Sequence, residues 1–373
     1  MRIGIDARVL VPANMAGIAT YLDHILRYLG QHDKENEYIL YSWTEFEVQR
    51  DYGPNFTFKL IPATRGLLYL PLILSKAVRQ DNLDVFWGPN HELPWLPKKV
   101  RTVLTVHDLA LLINPKWGEK RHALTVNLYM PCSIRRANTI LAISESTKQD
   151  MIRLLHTPKK KIHTLYLGGY ESQTHLVSAP GLTAAKKKYN IGDKYFFFVG
   201  TIEPRKNVGT LIKAFELLAA RDPDVQLIIA GGIGWRCDDV LEQIKFSPYA
   251  NRILQIGYVE KQEKLDLYAG ATAYILPSHY EGFGLPVLEA MSLGGIVITA
   301  SNSSLPEVGG NAALYVNDEN DEIALAALME RVLNMDPTER QNRISLGIAQ
   351  AAKFSWEKCA VESSKIILGS ASK

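Results

Sequence analysis

The chain has 373 residues, of which 47% are apolar and 22% charged, and its formal net charge is +3. This length predicts two domains, and the composition excludes a disordered or fibrous chain and is typical of an α/β protein. Three widely spaced cysteines, Cys132, Cys237 and Cys359, exclude a disulfide framework or a cysteine metal cluster and indicate a reducing compartment such as the cytoplasm.

Charge is shared unevenly along the chain. Residues 1–175 contain 22 Lys and Arg against 16 Asp and Glu, whereas the remainder contains 20 against 23. Because no basic helix is interleaved with aromatic residues, this distribution does not indicate nucleic-acid binding. It is compatible with an N-terminal half that meets an anionic membrane surface or an anionic acceptor.

The first half alternates short apolar runs with helical patterns. Strands are expected at Arg2–Asp6, Tyr38–Ser42, Phe56–Ile61, Val85–Trp87, Thr102–Val106 and Thr139–Ile143, and helices at Ala19–Leu29, Gly118–Ala137 and Ser144–Leu155. This alternation predicts a doubly wound parallel sheet, in which ligands bind at the carboxyl ends of the strands.

Three polar features stand at such strand ends. Gly17 would let backbone approach a phosphate or a sugar, although a single loop glycine is more often simply a turn. His107 closes the run VLTV and is as often structural as chemical. Ser144 precedes a helix and is foremost an N-cap.

The stretch Thr64–Gln80 is apolar around most of its circumference, with Arg65, Lys76 and Arg79 toward its ends. A buried helix is one interpretation. The other is an interfacial helix that touches lipid or a lipid-linked acceptor.

Glycines and prolines then predict a linker, since Gly168, Gly169, Pro180 and Gly181 lie in a polar stretch without strand pattern. We expect an N-terminal domain at 1–173 and a C-terminal domain at 174–355. The helical pattern from Ser355 to Leu368 predicts that residues 356–373 pack back on the first domain.

The second half repeats the alternation. Strands are expected at Tyr195–Val199, Val225–Gly232, Arg252–Glu260, Ala271–Leu276 and Ile296–Ala300, and helices at Gly209–Ala220 and Lys264–Ala269. Arg205 and Lys206 follow the first of these strands, and adjacent cations of this kind can neutralise a diphosphate. Tyr258 and Val259 close another strand, where backbone can hydrogen-bond a base.

The most informative stretch is SHYEGFGLPVLEAMSLG, Ser278 to Gly294. Gly282, Phe283 and Gly284 connect a strand to a helix that starts at Leu285, with Pro286 where a missing N–H costs nothing. Such a helix start binds anions, usually phosphate. Glu281 and Glu289 lie on either side, and Glu289 is suitably placed for a ribose diol.

These motifs in combination resemble glycosyltransferase family 4, and the resemblance spans essentially the whole chain. It rests on GTIEPRKN at Gly200–Asn207, on Glu281 and Glu289 around GFGLP, on VHDL at His107, on the glycine loop at Gly17 and on SSLPEV at Ser303–Val308. The family implies the GT-B fold, in which two Rossmann-like domains face each other across a cleft.

The resemblance also implies roles for individual residues. Glu289 would bind the ribose of a nucleotide-sugar, Glu281 would lie near the sugar ring, and His107 would contact the transferred sugar. Arg205 and Lys206 would clamp the diphosphate, while the backbone N–H groups of Phe283, Gly284 and Leu285 would meet the distal phosphate or sugar hydroxyls.

Two departures from the family pattern stand out. Thr201, itself a candidate donor contact, occupies a position that is Arg in many relatives, so phosphate binding depends more on Arg205 and Lys206. LYLGG replaces the VPNG that is usual near the linker.

The resemblance implies a metal-independent transferase that retains the anomeric configuration, with no cofactor beyond its nucleotide-sugar donor. Similarity to bacterial O-antigen and exopolysaccharide enzymes favours GDP-mannose as donor and, as acceptor, a lipid-linked saccharide such as one carried on polyprenyl diphosphate. UDP-glucose or UDP-N-acetylglucosamine is the next choice of donor. A nucleotide-sugar 2-epimerase and a non-catalytic nucleotide-sugar sensor remain as alternatives, whereas the absence of G-x-G-x-x-G after the first strand argues against a dehydrogenase.

Overall fold

A computed structural model of the chain describes residues 1–10, 17–43, 51–61, 69–169 and 177–369. The chain divides into two compact units. The first comprises Met1–Pro115, Lys120–Gly168 and the segment from Ser355 onward, and the second comprises Lys116–Glu119 and Gly169–Phe354. In the described residues, each unit is built on one parallel sheet.

The strands of the first unit are β1 (Arg2–Asp6), β2 (Glu37–Ser42), β3 (Phe56–Leu60), β4 (Val85–Gly88), β5 (Arg101–Val106), β6 (Thr139–Ala142) and β7 (Ile162–Thr164). They lie in the order β3-β2-β1-β4-β5-β6-β7, with every described pair parallel. Ile3, Ile5 and Phe86 are fully buried, as expected where both faces of a parallel sheet are covered. The chain order reverses between β1 and β4, which makes their carboxyl ends the switch point where ligands bind in such sheets.

The strands of the second unit are β8 (Tyr195–Val199), β9 (Gln226–Ala230), β10 (Ile253–Gly257), β11 (Ala273–Leu276), β12 (Val297–Ala300) and β13 (Leu314–Val316). Their order is β10-β9-β8-β11-β12-β13, again parallel throughout. Here the switch point lies between β8 and β11.

Helices connect these strands. They are α1 (Ile18–His32), α2 (Ser75–Gln80), α3 (Ala110–Ile113), α4 (Lys120–Arg136), α5 (Glu145–Leu155), α6 (Ala179–Tyr189), α7 (Val208–Ala219), α8 (Asp238–Phe246), α9 (Lys261–Gly270), α10 (Leu285–Ser292), α11 (Leu305–Gly309), α12 (Glu322–Leu333), α13 (Pro337–Ala351) and α14 (Trp356–Gly369). Among the helices described, none is both long and apolar enough to cross a membrane.

Several sequence predictions are confirmed by this arrangement. The predicted strands and helices correspond to observed elements with small shifts of their ends, and Ser144 caps α5 by accepting a hydrogen bond from the Thr147 N–H. In the first unit, α14 packs on α1, and Trp356 stacks on His24 with ring centroids 4.4 Å apart.

The prediction that Pro180 and Gly181 belong to a linker is wrong. Both lie in the first turn of α6, which Ser178 caps by accepting from the Gly181 N–H. Proline suits this position because the first N–H groups of a helix have no intrahelical partner. Strands β7 and β13 and helices α3, α6, α8, α11, α12 and α13 were not predicted from the sequence.

Candidate functional site

Arg205 and Lys206 lie side by side after β8, in a short 3-10 turn. The turn ends at Asn207, which adopts a left-handed conformation (φ 55°) and leads directly into α7. The Arg205 side chain is 18% exposed and that of Lys206 11%, whereas Thr201, earlier in the loop, is exposed. The two cations are therefore held at the carboxyl edge of the second sheet.

Both cations converge on Glu281, which follows the neighbouring strand β11. Arg205 Nη1 donates to Oε2 at 2.8 Å, and Lys206 Nζ donates to Oε1 at 2.7 Å. The Ser278 hydroxyl also donates to Oε1, at 2.7 Å. Burial by itself would raise the pKa of the Glu281 carboxyl, but the charges of Arg205 and Lys206 and these hydrogen bonds lower it to about 2. Glu281 is therefore a carboxylate at neutral pH.

Further contacts tie the two loops together. Arg205 Nη2 donates to Glu203 Oε1 at 2.6 Å, and Arg205 Nη1 donates to the Tyr280 carbonyl at 2.8 Å. The His279 N–H in turn donates to the Arg205 carbonyl at 2.9 Å. The loops after β8 and β11 consequently form one hydrogen-bonded unit, in which two cationic side chains alternate with two acidic ones.

The glycine turn predicted from the sequence is confirmed. Gly284 has φ 100° and begins α10, with Pro286 in the first turn. A β-carbon at Gly284 would also lie 3.1 Å from Leu305, so this position favours glycine twice over. The backbone of Glu281 is held by Ser303 Oγ, which accepts from its N–H at 2.9 Å, and by Ser304, whose hydroxyl donates to its carbonyl at 2.8 Å.

Glu289 lies one turn into α10 and faces α9. Lys264 Nζ contacts its carboxylate at 3.1 Å, and the Tyr268 hydroxyl donates to it at 3.2 Å. Its side chain is 18% exposed. Burial raises the pKa of the nearby Tyr274 phenol, and the charges of Glu281 and Glu289 both raise it further. Both carboxylates therefore lie close enough to Tyr274, in β11, for their charges to disfavour its ionised form.

The remaining donor candidates lie along the same edge. Phe283 is 3% exposed, Gly282 is buried and Leu285 is half-buried. Tyr258 and Val259 follow β10, where Tyr258 is 81% exposed and Val259 is buried. Because all strands of this sheet are parallel, the loops after β8, β10 and β11 emerge at one edge.

In the first unit, His107 follows β5 and is 6% exposed. Its Nε2 lies 2.8 Å from the Pro89 carbonyl, which can only accept, so Nε2 carries the proton and Nδ1 is an acceptor in the neutral ring. Burial and the neighbouring His91 lower the pKa of His107 to about 3. The imidazole is therefore neutral at physiological pH.

Gly17 directly precedes α1 with φ 55°, and a β-carbon there would meet nothing within 4 Å. Among the described residues, none therefore blocks the backbone at Gly17, and its contact with a phosphate or a sugar stays a prediction.

Within Thr64–Gln80, the side chains of residues 72–80 are described, and they are not buried all round, so the buried-helix interpretation is wrong for this part of the stretch. Leu74 and Val78 are buried, but Leu72 is 58% and Ile73 38% exposed. Lys76 and Arg79 are exposed, and Arg65 lies outside the described residues.

A groove of about 600 Å³ lies beside this segment. Its lining combines apolar and cationic side chains, namely Leu72, Ser75, Lys76, Arg79, Gln80 and Trp95. Trp95 is 54% exposed, and the Arg136 guanidinium lies over its ring, 5.1 Å from the centroid.

Sequence reasoning did not single out Glu203, Ser278, Lys264 or Tyr268 as members of the site. Glu203 stands within GTIEPRKN, and its spacing of two residues from Arg205 was the available signal. Lys264 and Tyr268 lie on α9, and the sequence carried no sign that α9 packs beside Glu289. In the part of the chain that the structure describes, there is no group of three or more His, Cys, Asp or Glu side chains that could hold a metal ion.

Two family profiles match the chain. Residues 15–168 match the profile described as Glycosyltransferase Family 4, and residues 183–347 match the one described as Glycosyl transferases group 1.

Relatives and solved structures agree with these matches. O-antigen chain mannosyltransferase B of Escherichia coli is 34% identical over 287 residues, covering 77% of this chain and 74% of the relative. The serotype-specific mannosyltransferase WbdA of Escherichia coli is 29% identical over 73% of this chain, but the match spans only 33% of WbdA. The crystal structure of Anabaena HepE with UDP and glucose superposes with a TM-score of 0.74 at 16% identity, covering 98% of this chain and 99% of HepE.

Proposed function

The chain belongs to glycosyltransferase family 4 and has the GT-B fold, and from this premise we propose that it transfers mannose from GDP-mannose to a saccharide acceptor in bacterial O-antigen synthesis. The choice of mannose is supported by the 34% identity to an O-antigen mannosyltransferase. The observation that carries the proposed chemistry is the convergence of Arg205 and Lys206 on Glu281, beside the glycine-led start of α10.

The charges of this cluster suit the departure of a nucleoside diphosphate. Breaking the bond between the anomeric carbon and the diphosphate builds negative charge on the leaving group. Lys206 has three N–H donors and Arg205 five, so each can serve a phosphate while keeping a bond to Glu281. Together with the positive end of the α10 dipole they would stabilise that charge without a metal ion or a cofactor.

Glu281 is better suited to hold the two cations than to attack the sugar. Its carboxylate accepts from Arg205, Lys206 and Ser278, and each of these bonds lowers its nucleophilicity. This favours retention of configuration by front-face attack of the acceptor hydroxyl, with the departing phosphate accepting its proton, over a covalent glycosyl–Glu281 intermediate.

Two further residues, one in each unit, have proposed contacts with the donor. Glu289 would accept hydrogen bonds from the ribose hydroxyls, with Lys264 and Tyr268 holding its carboxylate. His107 would accept a hydrogen bond at Nδ1 from a hydroxyl of the transferred mannose, since its Nε2–H donates to the Pro89 carbonyl. The Tyr258–Val259 backbone would meet the base, and the amides of Phe283, Gly284 and Leu285 the distal phosphate.

The acceptor is proposed to be linked to a lipid at the cytoplasmic face of the inner membrane. The exposed Leu72, Ile73 and Trp95 next to Lys76 and Arg79 combine the apolar and cationic side chains of an interfacial surface. Vesicles with anionic lipid should sediment the wild type but release the double variant Lys76→Glu, Arg79→Glu. Equal sedimentation of both proteins would refute this membrane contact.

A panel of nucleotide-sugars read by thermal shift tests the donor. A ligand that binds only the folded state raises the unfolding free energy by about 2.7 kcal/mol when its concentration is a hundred times Kd. The Tm rises accordingly. GDP-mannose should shift the Tm most, ahead of UDP-glucose and UDP-N-acetylglucosamine. A larger shift with either UDP-sugar would replace mannose by that sugar.

Product analysis separates the other classes of function. A transferase releases GDP from GDP-mannose when a mannan or O-antigen acceptor is added. An isomeric nucleotide-sugar formed without acceptor would identify a 2-epimerase, and tight binding without GDP release across an acceptor panel would identify a sensor.

A further inference from the structure

The four residues Lys116–Glu119, here called the strap, belong to the second unit although the chain on both sides of them belongs to the first. The strap lies between the end of α3 and the start of α4. The sequence predicted a helix that included its last two residues, Gly118 and Glu119, whereas α4 begins at Lys120. Contacts of Lys116 and Trp117 hold the strap in the second unit, and Trp117 contacts the two residues that precede Glu281.

One side of the strap stacks on the loop that carries Glu281. The Trp117 indole lies parallel to the His279 ring, with centroids 6.1 Å apart and an interplanar angle of 2°, and lies 6.2 Å from the Tyr280 ring at 23°. These are the separations of offset-stacked aromatic pairs. Tyr280 directly precedes Glu281, and its carbonyl accepts from Arg205.

The other side of the strap is bound by the loop after β9. Trp235 Nε1 donates to the Trp117 carbonyl at 2.7 Å, and Arg236 donates to the Lys116 carbonyl at 3.0 Å. Arg236 adopts φ 52°, a left-handed conformation that is costly for a long side chain. The residue with this unfavourable backbone conformation is the one whose side chain binds the strap.

The strand order places both contacts of the strap next to the loop that carries the two cations. In the second sheet β8 lies between β9 and β11, so the strap contacts the loops on either side of the one that carries Arg205 and Lys206. The His279 N–H also donates to the Arg205 carbonyl. A displacement of His279 and Tyr280 would therefore move both Glu281 and its Arg205 partner.

We propose that Trp117 is a positioning residue for the donor site, holding His279 and Tyr280 so that Glu281 and Arg205 keep the arrangement that receives the nucleotide-sugar. This inference rests on the proposed function. Trp117 acts through the loop and need not touch the donor itself.

The test is isothermal titration of GDP-mannose into folded protein at a temperature well below the Tm of every variant. Trp117→Ala should raise the Kd about fivefold, since loss of a stacked pair leaves the loop to be ordered on binding. Trp117→Phe keeps a stacking ring and should restore the Kd to within about twofold of the wild type. Steady-state kinetics should show the same rise in KM for GDP-mannose with a smaller change in kcat.

Trp356→Ala is the matched control, because Trp356 also stacks in parallel on a histidine, His24, but in the first unit. It should lower Tm and leave the Kd for GDP-mannose unchanged. If Trp117→Ala does not fold, Trp235→Phe removes the hydrogen bond to the Trp117 carbonyl while keeping an aromatic ring at 235 and the Trp117 indole, and should raise the Kd about twofold to threefold.

The positioning role is overturned if Trp117→Ala binds GDP-mannose as tightly as the wild type, or if Trp117→Phe is as weak as Trp117→Ala. Should Trp235→Phe be the variant used, an unchanged Kd overturns it as well. Failure of the proposed function is a separate result, since the wild type itself would then bind no member of the nucleotide-sugar panel.

Discussion

The switch points of the two sheets carry the same pattern of charges in different settings. In the first unit, Arg8 lies between Asp6, two residues earlier, and Glu92, which follows the neighbouring strand β4. In the second unit, Arg205 lies between Glu203, two residues earlier, and Glu281, which follows the neighbouring strand β11. β1 and β4 occupy the places in the first sheet that β8 and β11 occupy in the second.

What differs is what surrounds each arginine. Arg8 binds both oxygens of Asp6, its side chain is 10% exposed, and its guanidinium lies 5.1 Å from the ring centroid of Trp43. Arg205 is joined by a second cation, Lys206, and by the glycine-led start of α10. We interpret the first cluster as a structural ion pair and the second as an anion site, so a fold that repeats a charge pattern can use it for two purposes.

The largest expected effect tests the structural half of this comparison. Arg8→Met would leave Asp6 and Glu92 without their cation, and breaking a buried pair in this way costs about 3 kcal/mol of unfolding free energy. Calorimetry should record a Tm lower by roughly 5–10 °C. A variant of unchanged Tm that no longer binds GDP-mannose would reverse the two roles.

Lys206→Ala tests the other half, because the contacts described for the first cluster include no second cation in the place that Lys206 has beside Arg205. Loss of a donor that stabilises developing charge should lower kcat about 100-fold, with a smaller change in KM. Lys213→Ala, an exposed lysine on the following helix α7, is the control and should keep full turnover. Turnover equal to that of the wild type in Lys206→Ala would count against the diphosphate clamp.

Acid should affect the two units in different pH ranges. The pKa of His107 falls from 6.5 to about 3 on folding, so the stability it contributes is complete above pH 6.5 and is lost as pH falls toward 3. The pKa of Glu281 falls from 4.5 to about 2, so its contribution is lost only below 4.5.

Between about pH 7 and about pH 5 the His107 contribution alone should therefore decline, by roughly 2 kcal/mol. Urea unfolding across this range should show a steeper pH dependence for the wild type than for His107→Gln. Parallel curves for the two proteins would mean that His107 is not held neutral by the fold.

The smallest effect concerns Glu289. Glu289→Ala should raise the Kd for GDP about tenfold, since a hydrogen bond to a charged group contributes about 1.5 kcal/mol. The wild type should also prefer GDP over 2′-deoxy-GDP, and the variant should lose that preference. If the variant discriminates between the two nucleotides as the wild type does, Glu289 does not bind the ribose.

The sequence by itself determined most of the elements and pointed to several members of the candidate site. Short apolar runs bounded by glycine and charge predicted most of the strands, since a buried parallel strand has few other signatures. Gly284 and Pro286 fixed the start of α10 because backbone conformation and a missing N–H are local properties. The same local reasoning failed at α6. Pro180 and Gly181 predicted a linker, but they lie in the first turn of this helix, which Ser178 caps.

Only the tertiary structure decided which charged groups meet. Arg205 and Glu281 are 76 residues apart in the chain, and Arg8 and Glu92 are 84 apart. Both pairs form because the strand order makes neighbours of β8 and β11, and of β1 and β4. The stack of Trp117 on His279 likewise joins distant parts of the chain. Periodicity and propensity act over a few residues, whereas a pair of this kind depends on how the crossovers arrange the sheet, and that arrangement is fixed by burial of the whole core.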